Sequence, residues 1–344
     1  MISKEFGSDF HLCLEPEWQS KKGTSLFLKN TSFFLSGRAA LYSLLREGIK
    51  KYKWKTVYFP SYYCQEVIQY VKELSIKIKI YNFNPFLDFS ETNININDEG
   101  GNVVINVDFF GVVKNSFSNI KNVVLIDDLT HNLRSIKESK ADFIFGSLRK
   151  EIPIPTGGFI STRKQQKLPK GNKNNLALTI VIQKLTAMYL KKRYLEGVTS
   201  DKNTYRELFI ASEDSLQCEL KDSRLPKISN ALLKDLNITK ILKAKNKNIK
   251  VALTSLKIDK KIVLNNNKKK GAGLVFKLSS KKERNDLKAY LVKNNIYPAI
   301  LWPKQSSKRD VEIENRVLFL HLDYRYDIND VKYIVNKLNL FFGE

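Results

Sequence analysis

Short, unbroken apolar runs alternate with segments of helical periodicity along much of this chain. The segments that we interpret as strands are Thr56–Phe59, Val103–Val107, Val123–Ile126, Phe143–Phe145 and Phe159–Thr162, together with the lysine-containing Ile76–Tyr81. Strands that are apolar without alternation are buried on both faces, which is typical of a parallel sheet covered by helices. The sequence therefore predicts an α/β fold with a mainly parallel sheet flanked by helices.

The pattern changes toward the C-terminus, where we expect a second domain. A long helix is predicted over Asn175–Gly197, and helical periodicity continues through Leu225–Leu256. Beyond these segments the predicted strands are Gly273–Leu278, Ile296–Leu301 and Val317–Leu322, and the predicted helices are Lys281–Asn294 and Ile328–Phe342. We therefore predict a large domain over residues 1–235, which begins with an irregular lead-in at residues 1–30, and a smaller α+β domain over residues 236–344.

The chain is strongly basic, with 59 Lys and Arg against 35 Asp and Glu and a net charge of +24. Such a charge could attract nucleic acid, an anionic membrane or a polyanionic substrate. The densest lysine runs, Lys240–Lys250 and Lys257–Lys270, contain no aromatic residue that would stack on bases. A compositional bias toward Lys, Asn and Ile explains the charge more simply, so we expect no specific nucleic-acid partner. The patch Asn265–Lys270 is predicted to be an exposed loop.

The three cysteines, Cys13, Cys64 and Cys218, are far apart and form no CxxC pair. This pattern indicates neither a disulfide framework nor a zinc site. The N-terminus has no apolar core of signal-peptide length, and no apolar run approaches the roughly 18 to 20 residues of a membrane span. We therefore expect a cytoplasmic protein with no transmembrane segment.

Polar residues follow several of the predicted strands. Because ligands bind beyond the carboxyl ends of parallel strands, these residues should converge on one edge of the sheet. They are Pro60–Cys64, Asp108, Asp128, His131, Ser147 and Lys150. The sequence thus predicts a site built from residues that are distant along the chain.

Lys150 is the candidate nucleophile of this site. It follows the buried strand Phe143–Phe145, in a segment stiffened by Pro153 and Pro155. A lysine that is held in place and partly desolvated can act as a nucleophile through its amine. The alternative is a surface lysine in a lysine-rich chain.

A phosphate seat is predicted at the start of the helix that follows Ser36. Ser36 is a plausible N-cap, and the first backbone N–H groups of a helix are available to an anion. Arg38 adds a positive charge there. Most capped helices bind nothing, so this signal is weak alone.

Five motifs in order carry a family resemblance: SGRAAL (Ser36–Leu41), PSYYC (Pro60–Cys64), DFFG (Asp108–Gly111), IDDLTH (Ile126–His131) and SLRKEIPIPTGG (Ser147–Gly158). Together they resemble the DegT/DnrJ/EryC1/StrS aminotransferases, and a weaker likeness spans most of the chain. The resemblance implies the type I fold of aspartate aminotransferase, with a seven-stranded sheet in its large domain. It also implies pyridoxal 5'-phosphate (PLP) as the cofactor.

The resemblance assigns expected roles to three residues of the strand-end region. Lys150 matches the lysine that forms a Schiff base with PLP. Asp128 matches the aspartate that faces the pyridine nitrogen, where a carboxylate keeps the ring protonated. His131 matches a position near the phenolic oxygen of the cofactor, although a lone histidine is as often a core residue.

The phosphate-binding turn of the family matches Gly37 and Arg38, with Ser147 as a further phosphate donor. The family usually has Thr where Arg38 stands. Ser147 lies closer to the lysine than is usual, and Arg149 intervenes. Arg149 either binds phosphate or faces solvent.

The motifs leave open which residue covers the cofactor ring. The family places an aromatic side chain near the position of Cys64, and a cysteine cannot stack in that way. We therefore expect Tyr63, or alternatively Tyr62, to take over this role.

The resemblance implies a PLP-dependent aminotransferase that transfers an amino group, with glutamate as the expected donor, to a nucleotide-linked keto-sugar. The family suggests surface polysaccharide or related biosynthesis and a homodimer. The alternative is a divergent protein of the same fold that binds nucleic acid or membrane through its basic surface. The matches at Lys150, Asp128 and His131 favour the enzyme.

Overall fold

The computed structural model describes residues 4–20, 26–87, 95–117, 119–217, 220–259, 262–265 and 271–343. Cys218 and all but the first residue of the predicted loop Asn265–Lys270 lie outside these residues. Within them, Cys13 and Cys64 are free thiols. No helix in these ranges is long and apolar enough to cross a membrane.

Strands and helices alternate through the first half of the chain. The strands are β1 (Phe6–Gly7), β2 (Thr31–Phe34), β3 (Thr56–Pro60), β4 (Lys77–Tyr81), β5 (Asn102–Phe109), β6 (Val113–Lys114), β7 (Val124–Asp128), β8 (Phe143–Ser147), β9 (Gly158–Ser161), β10 (Gly273–Lys277), β11 (Ile296–Tyr297) and β12 (Val317–His321). The helices are α1 (Gly37–Tyr52), α2 (Gln65–Val71), α3 (Asn175–Leu195), α4 (Asn203–Gln217), α5 (Lys227–Asp235), α6 (Ile238–Ser255), α7 (Lys281–Lys293), α8 (Lys308–Arg316) and α9 (Ile328–Phe342).

An eight-stranded sheet forms the centre of the first half, in the order β2-β9-β8-β7-β5-β3-β4 with β6 paired to β5. Strands β4, β3, β5, β7 and β8 are parallel, whereas β9 and β2 add an antiparallel edge. Every residue of β3, β5 and β8 is buried. The structure therefore confirms the predicted mainly parallel α/β sheet. Strands that are apolar along their whole length require cover on both faces of the sheet.

Helix α1 begins at the predicted cap. The Ser36 hydroxyl accepts a hydrogen bond from the backbone N–H of Ala39, and the helix ends at Lys53 in the left-handed conformation. The buried face of α1 joins the core of the sheet through Leu41, Leu44 and Leu45. This packing fixes the start of the helix against the sheet.

The C-terminal part has its own core of strands and helices. Strands β10 and β12 pair antiparallel, and helices α6, α7 and α9 contribute Ile249, Leu287 and Ile334 to the same cluster of buried residues. The lead-in contributes as well, because β1 pairs parallel with β11 and Phe6 belongs to this cluster. The division into domains at residues 235 and 236 stays a prediction.

Several predicted elements differ from the structure. The expected strand Ile296–Leu301 forms a strand only at its first two residues, as β11, and Ala299 adds an isolated antiparallel bridge to Phe319 of β12. The polar stretch after α3 contains helix α4, and α8 occupies a segment for which no helix was predicted. The lead-in is irregular except for β1 and a 3₁₀ turn at Pro16–Trp18.

Candidate active site

A cavity of about 230 Å³ opens at the carboxyl ends of β7 and β8, beside the start of α1. The seven residues that the family resemblance assigns to the site all line this cavity. They are Lys150, Gly37, Arg38, Tyr63, Asp128, His131 and Ser147. Pro60, Ser61, Tyr62 and Asp108, which were expected on the same rim, do not line it. Asp108 is buried beside the Asn132 amide, and burial raises its pKa to about 6.

The start of α1 and the end of β8 meet at one end of the cavity. A Cβ atom on Gly37 would lie 3.1 Å from the Ser147 Cβ, so only glycine allows this approach without a shift of its neighbour. The Ser147 hydroxyl is buried and has no hydrogen-bond partner among the described residues. Because a buried hydroxyl without a partner is unfavourable, this atom is suited to receive a ligand oxygen.

Arg38 lies at the same end. It is buried, its Nη1 atom is 3.2 Å from the Glu66 carboxylate at the start of α2, and its guanidinium lies 5.8 Å from the centre of the Tyr70 ring. These contacts hold the positive charge in place beside the first turn of α1. The turn, Arg38 and Ser147 together offer an anion N–H groups, a cation and a hydroxyl.

Asp128 ends β7 and supplies a carboxylate to the floor of the cavity. Its Oδ1 atom accepts a hydrogen bond of 2.9 Å from the Thr130 backbone N–H, and its Oδ2 atom accepts one from the Tyr63 hydroxyl. Burial raises the pKa of Asp128, whereas the two hydrogen bonds favour its charged form. A ligand that carries a positive N–H group toward this carboxylate would stabilise its charged form.

His131 lies against aromatic rings three residues after Asp128. Its ring centre is 4.4 Å from that of Phe110 and 6.2 Å from that of Trp302. Burial, and then the charge of Lys150, hold the pKa of His131 well below its usual range. The imidazole is therefore neutral, and its Nδ1 atom has no hydrogen-bond partner in the described part of the chain.

Lys150 ends the 3₁₀ turn Leu148–Lys150 that follows β8. The charge of Arg149, and then burial, lower the pKa of the Lys150 amine. Among the described residues, no carboxylate lies within 4.0 Å of its Nζ atom to hold the proton. The half-buried amine is thus more nucleophilic at neutral pH than that of an ordinary lysine.

The aromatic candidates for covering a ligand are separated by the structure. Tyr63 lines the cavity and donates to Asp128, whereas Tyr62 is buried outside the lining and donates to the Leu301 carbonyl at 2.8 Å. Cys64 also lines the cavity. The role of Tyr63 as the stacking ring stays a prediction.

Sequence reasoning missed several residues that line the cavity. Glu213 comes from α4, and Trp302 from the segment after β11. Glu213 accepts from Arg149 at 2.7 Å, so Arg149 is bound to protein rather than facing solvent. The signal for α4 was the spacing of its buried apolar residues, Tyr205, Phe209 and Leu216. Nothing local in the sequence points to Trp302.

No protein-family model matches the sequence, and no curated protein matches it. Solved structures do match. PseC from Helicobacter pylori, an aminotransferase involved in the biosynthesis of pseudoaminic acid, aligns with a TM-score of 0.62 at 13% identity, over 98% of this chain and 99% of PseC. The chain has the type I aminotransferase fold.

Two further structures support this fold. Spr1654 from Streptococcus pneumoniae, assigned as a sugar aminotransferase and solved in its PMP form, has a TM-score of 0.62 at 14% identity over 98% of both chains. A DegT DnrJ EryC1 StrS aminotransferase from Brucella abortus has a TM-score of 0.56 at 14% identity over 91% of this chain and 86% of that one. The resemblance to this family is thereby confirmed at the level of the fold.

The site lies at the carboxyl ends of the parallel strands, which is where ligands bind in sheets of this topology. Strands β7 and β8 are neighbours, and their carboxyl ends bring Asp128 and Ser147 to the same edge. Helix α1, which precedes both strands in the chain, adds its N-terminus there. The aminotransferase fold therefore explains how residues from 37 to 302 share one cavity.

Proposed function

We propose that this protein is a PLP-dependent aminotransferase that transfers an amino group to a keto-sugar. The observation that carries the proposal is the placement of three complementary groups around one cavity. Lys150 supplies an amine with a lowered pKa, Asp128 a buried carboxylate, and Ser147 a hydroxyl without a partner. This donor set has the chemistry that PLP requires, since the cofactor carries an aldehyde, a ring nitrogen and a phosphate.

The residues at the start of α1 would hold the phosphate. Gly37 keeps the helix close to Ser147, whose unpartnered hydroxyl would donate to a phosphate oxygen. Arg38 and the first N–H groups of α1 would add positive potential. Asp128 would hold a proton on the pyridine nitrogen, which explains why a carboxylate is buried there with so few compensating charges.

PLP, when bound, supplies an electron sink that stabilises negative charge at the reacting carbon. Lys150 would attach to the cofactor and, once displaced by the amino donor, move a proton through its Nζ atom. The neutral imidazole of His131 would lie beside the ring without adding a charge. Phe110 and Trp302, which stack at 24°, would exclude water from this side of the cavity.

The finer assignments follow from the family resemblance and the charge of the chain. We propose glutamate as the donor, a nucleotide-linked keto-sugar as the acceptor, and a role in surface polysaccharide or related biosynthesis. The net charge of +24 supports an anionic substrate such as a sugar nucleotide. We further propose a cytoplasmic homodimer with domains at residues 1–235 and 236–344.

The proposal is tested by adding PLP to the purified protein, reducing with borohydride and locating the added mass by peptide mass spectrometry. The expected result is a modification of Lys150 together with an absorption band near the visible edge, both lost in Lys150→Ala. The matched control is Lys282→Ala, which removes an exposed lysine of α7. Addition of glutamate should then shift the band.

A modification spread over many lysines, or none at all, would contradict the proposal. In that event the alternative of an anion-binding protein is examined with nucleic acid and anionic vesicles at rising salt. Electrostatic binding of nucleic acid falls steeply as salt increases.

A further inference from the structure

An ionic cluster of two buried cations and one partly exposed carboxylate lies beside Lys150 and is used by none of the roles above. It consists of Arg149, Glu213 and Lys184, and we call it the Glu213 cluster. Glu213 Oε1 accepts from Arg149 Nη1 at 2.7 Å and also from Lys184 Nζ. The side chains of Arg149 and Lys184 are only 10% and 5% exposed, so neither cation is dispersed in solvent.

Three different elements hold this cluster together. Lys184 belongs to α3 and Glu213 to α4, and these two helices pack against each other. Arg149 shares the 3₁₀ turn Leu148–Lys150 with the candidate nucleophile. The helix pair therefore fixes the guanidinium of Arg149 from outside the turn and leaves it beside Lys150.

The cluster is also electrostatically unbalanced. One carboxylate is shared by two cations, and Lys150 is a third cation on the same side of the cavity when it is protonated. Although burial opposes it, Arg149 and Lys184 hold the pKa of Glu213 well below its usual range, so this carboxylate stays charged. Burial, and then Arg149, lower the pKa of Lys184 to about 8.

Other titratable groups interact electrostatically with Lys150 from the lead-in, the residue before α2, the segment after β7 and the end of β12. They are Asp9 of the lead-in, Cys64 before α2, His131 after β7 and His321 at the end of β12. Asp9 favours the protonated amine, whereas the two histidines are neutral because their pKa values are lowered by burial. The strongest opposed influences on Lys150 are therefore Arg149 and Glu213.

We propose that Arg149, held by Glu213, is a positioning residue that favours the uncharged, nucleophilic form of the Lys150 amine. Arg149 acts in two ways. Its fixed charge repels a proton on Lys150, and its bond to Glu213 occupies the carboxylate that would otherwise pair with Lys150. The inference rests on the proposed function for its purpose, but the state of the amine is measured without any cofactor.

The experiment is competitive labelling of the cofactor-free protein with acetic anhydride from about pH 6 to 11, with the Lys150 peptide quantified by mass spectrometry. The reagent reacts only with the uncharged amine, so the labelling profile gives the pKa of Lys150. Arg149→Gln should raise this pKa and lower the labelling of Lys150 at neutral pH by about tenfold, which corresponds to one pKa unit. Arg149→Lys keeps the charge and should stay within about threefold of the wild type.

Glu213→Gln provides the decisive second variant, because its effect has the opposite sign. It leaves two cations without their carboxylate, so the pKa of Lys150 should fall and neutral-pH labelling should rise by about threefold. Arg193→Gln is the matched control, since Arg193 forms an exposed ion pair with Glu196 on α3. This control should leave the labelling of Lys150 unchanged.

An unchanged Lys150 profile in folded Arg149→Gln would overturn the inference. Equal shifts in the same direction for Arg149→Gln and Glu213→Gln would overturn it too, because they would indicate a merely structural cluster. Thermal melting identifies a variant that fails to fold. The direction of the Lys150 pKa shift is then tested by the other variant of the pair. Attachment of PLP to Lys150 is a separate readout, so the proposed function and this inference can fail independently.

Discussion

The buried ion pair between Lys245 and Glu151 makes a strong prediction about stability. Lys245 Nζ on α6 lies 2.9 Å from Glu151 Oε1, and their side chains are 5% and 1% exposed. The other carboxylate oxygen of Glu151 accepts from the Leu133 backbone N–H at 3.3 Å. Because Glu151 directly follows Lys150, this pair ties the candidate nucleophile to the helix.

Lys245→Met removes the cation and leaves Glu151 buried without its partner. Loss of one member of a buried ion pair destabilises a protein by about 3–5 kcal/mol. The near-complete burial of both side chains places the expected loss in that range. Lys245→Met combined with Glu151→Gln keeps an acceptor for Leu133 but removes the stranded charge, so most of the loss should be recovered.

The assay is urea unfolding followed by tryptophan fluorescence, on the cofactor-free protein. Lys164→Met is the matched control, because Lys164 pairs with Asp142 while 60% of its side chain is exposed. An exposed pair contributes about 0–1 kcal/mol, so this variant should unfold almost as the wild type does. A loss below about 1 kcal/mol in Lys245→Met, or a double variant as unstable as the single one, would refute the reasoning.

Two other variants address the proposed phosphate site and a second buried lysine. Ser147→Ala removes a buried hydroxyl that has no partner among the described residues, so the free energy of unfolding should not fall. The dissociation constant for PLP, measured by titration, should rise about tenfold. An unchanged dissociation constant would show that Ser147 does not belong to the phosphate site. Burial lowers the pKa of Lys191 from 10.5 to about 8. Between these two pH values the unfolded chain binds a proton that the folded chain has lost, so the free energy of unfolding should rise with pH. Lys191→Met should reduce the gain in the free energy of unfolding between about pH 7.5 and 9.5 by about 2 kcal/mol, measured by urea unfolding at both pH values. An equal gain in the wild type and the variant would contradict the shifted pKa.

The sheet and half of the site could be predicted because they depend on local patterns. An apolar run such as Val103–Val107 has no other stable place than a strand buried on both faces. Parallel strands end at one edge, so Asp128, Ser147 and Lys150 could be expected to meet before any contact was known. The N-cap at Ser36 is also local, since its hydroxyl bonds to an N–H three residues later.

The residues that were missed depend on contacts between distant segments. Glu213 lies on α4, and only packing of α4 against α3 brings it to Arg149. Trp302 follows a strand of only two residues and reaches the site through contacts with Tyr62, Tyr63 and Phe110. Helix α8 buries only Asp310 and Ile313, so it has no apolar stripe that periodicity could detect.

The location of the buried lysines argues against a basic surface as the main function. Lys184, Lys191 and Lys245 are 4%, 2% and 4% exposed, so they cannot contact a polyanion on the surface. Burial of an ammonium group costs several kcal/mol, and such groups occur both at functional sites and in structural ion pairs. Lys184 and Lys245 each bind a carboxylate beside the turn of Lys150, through Glu213 and Glu151. The Lys245–Glu151 pair anchors the turn of Lys150, and the Lys184–Glu213 pair holds the partner of Arg149, so both pairs support the candidate site and neither contributes to a polyanion-binding surface.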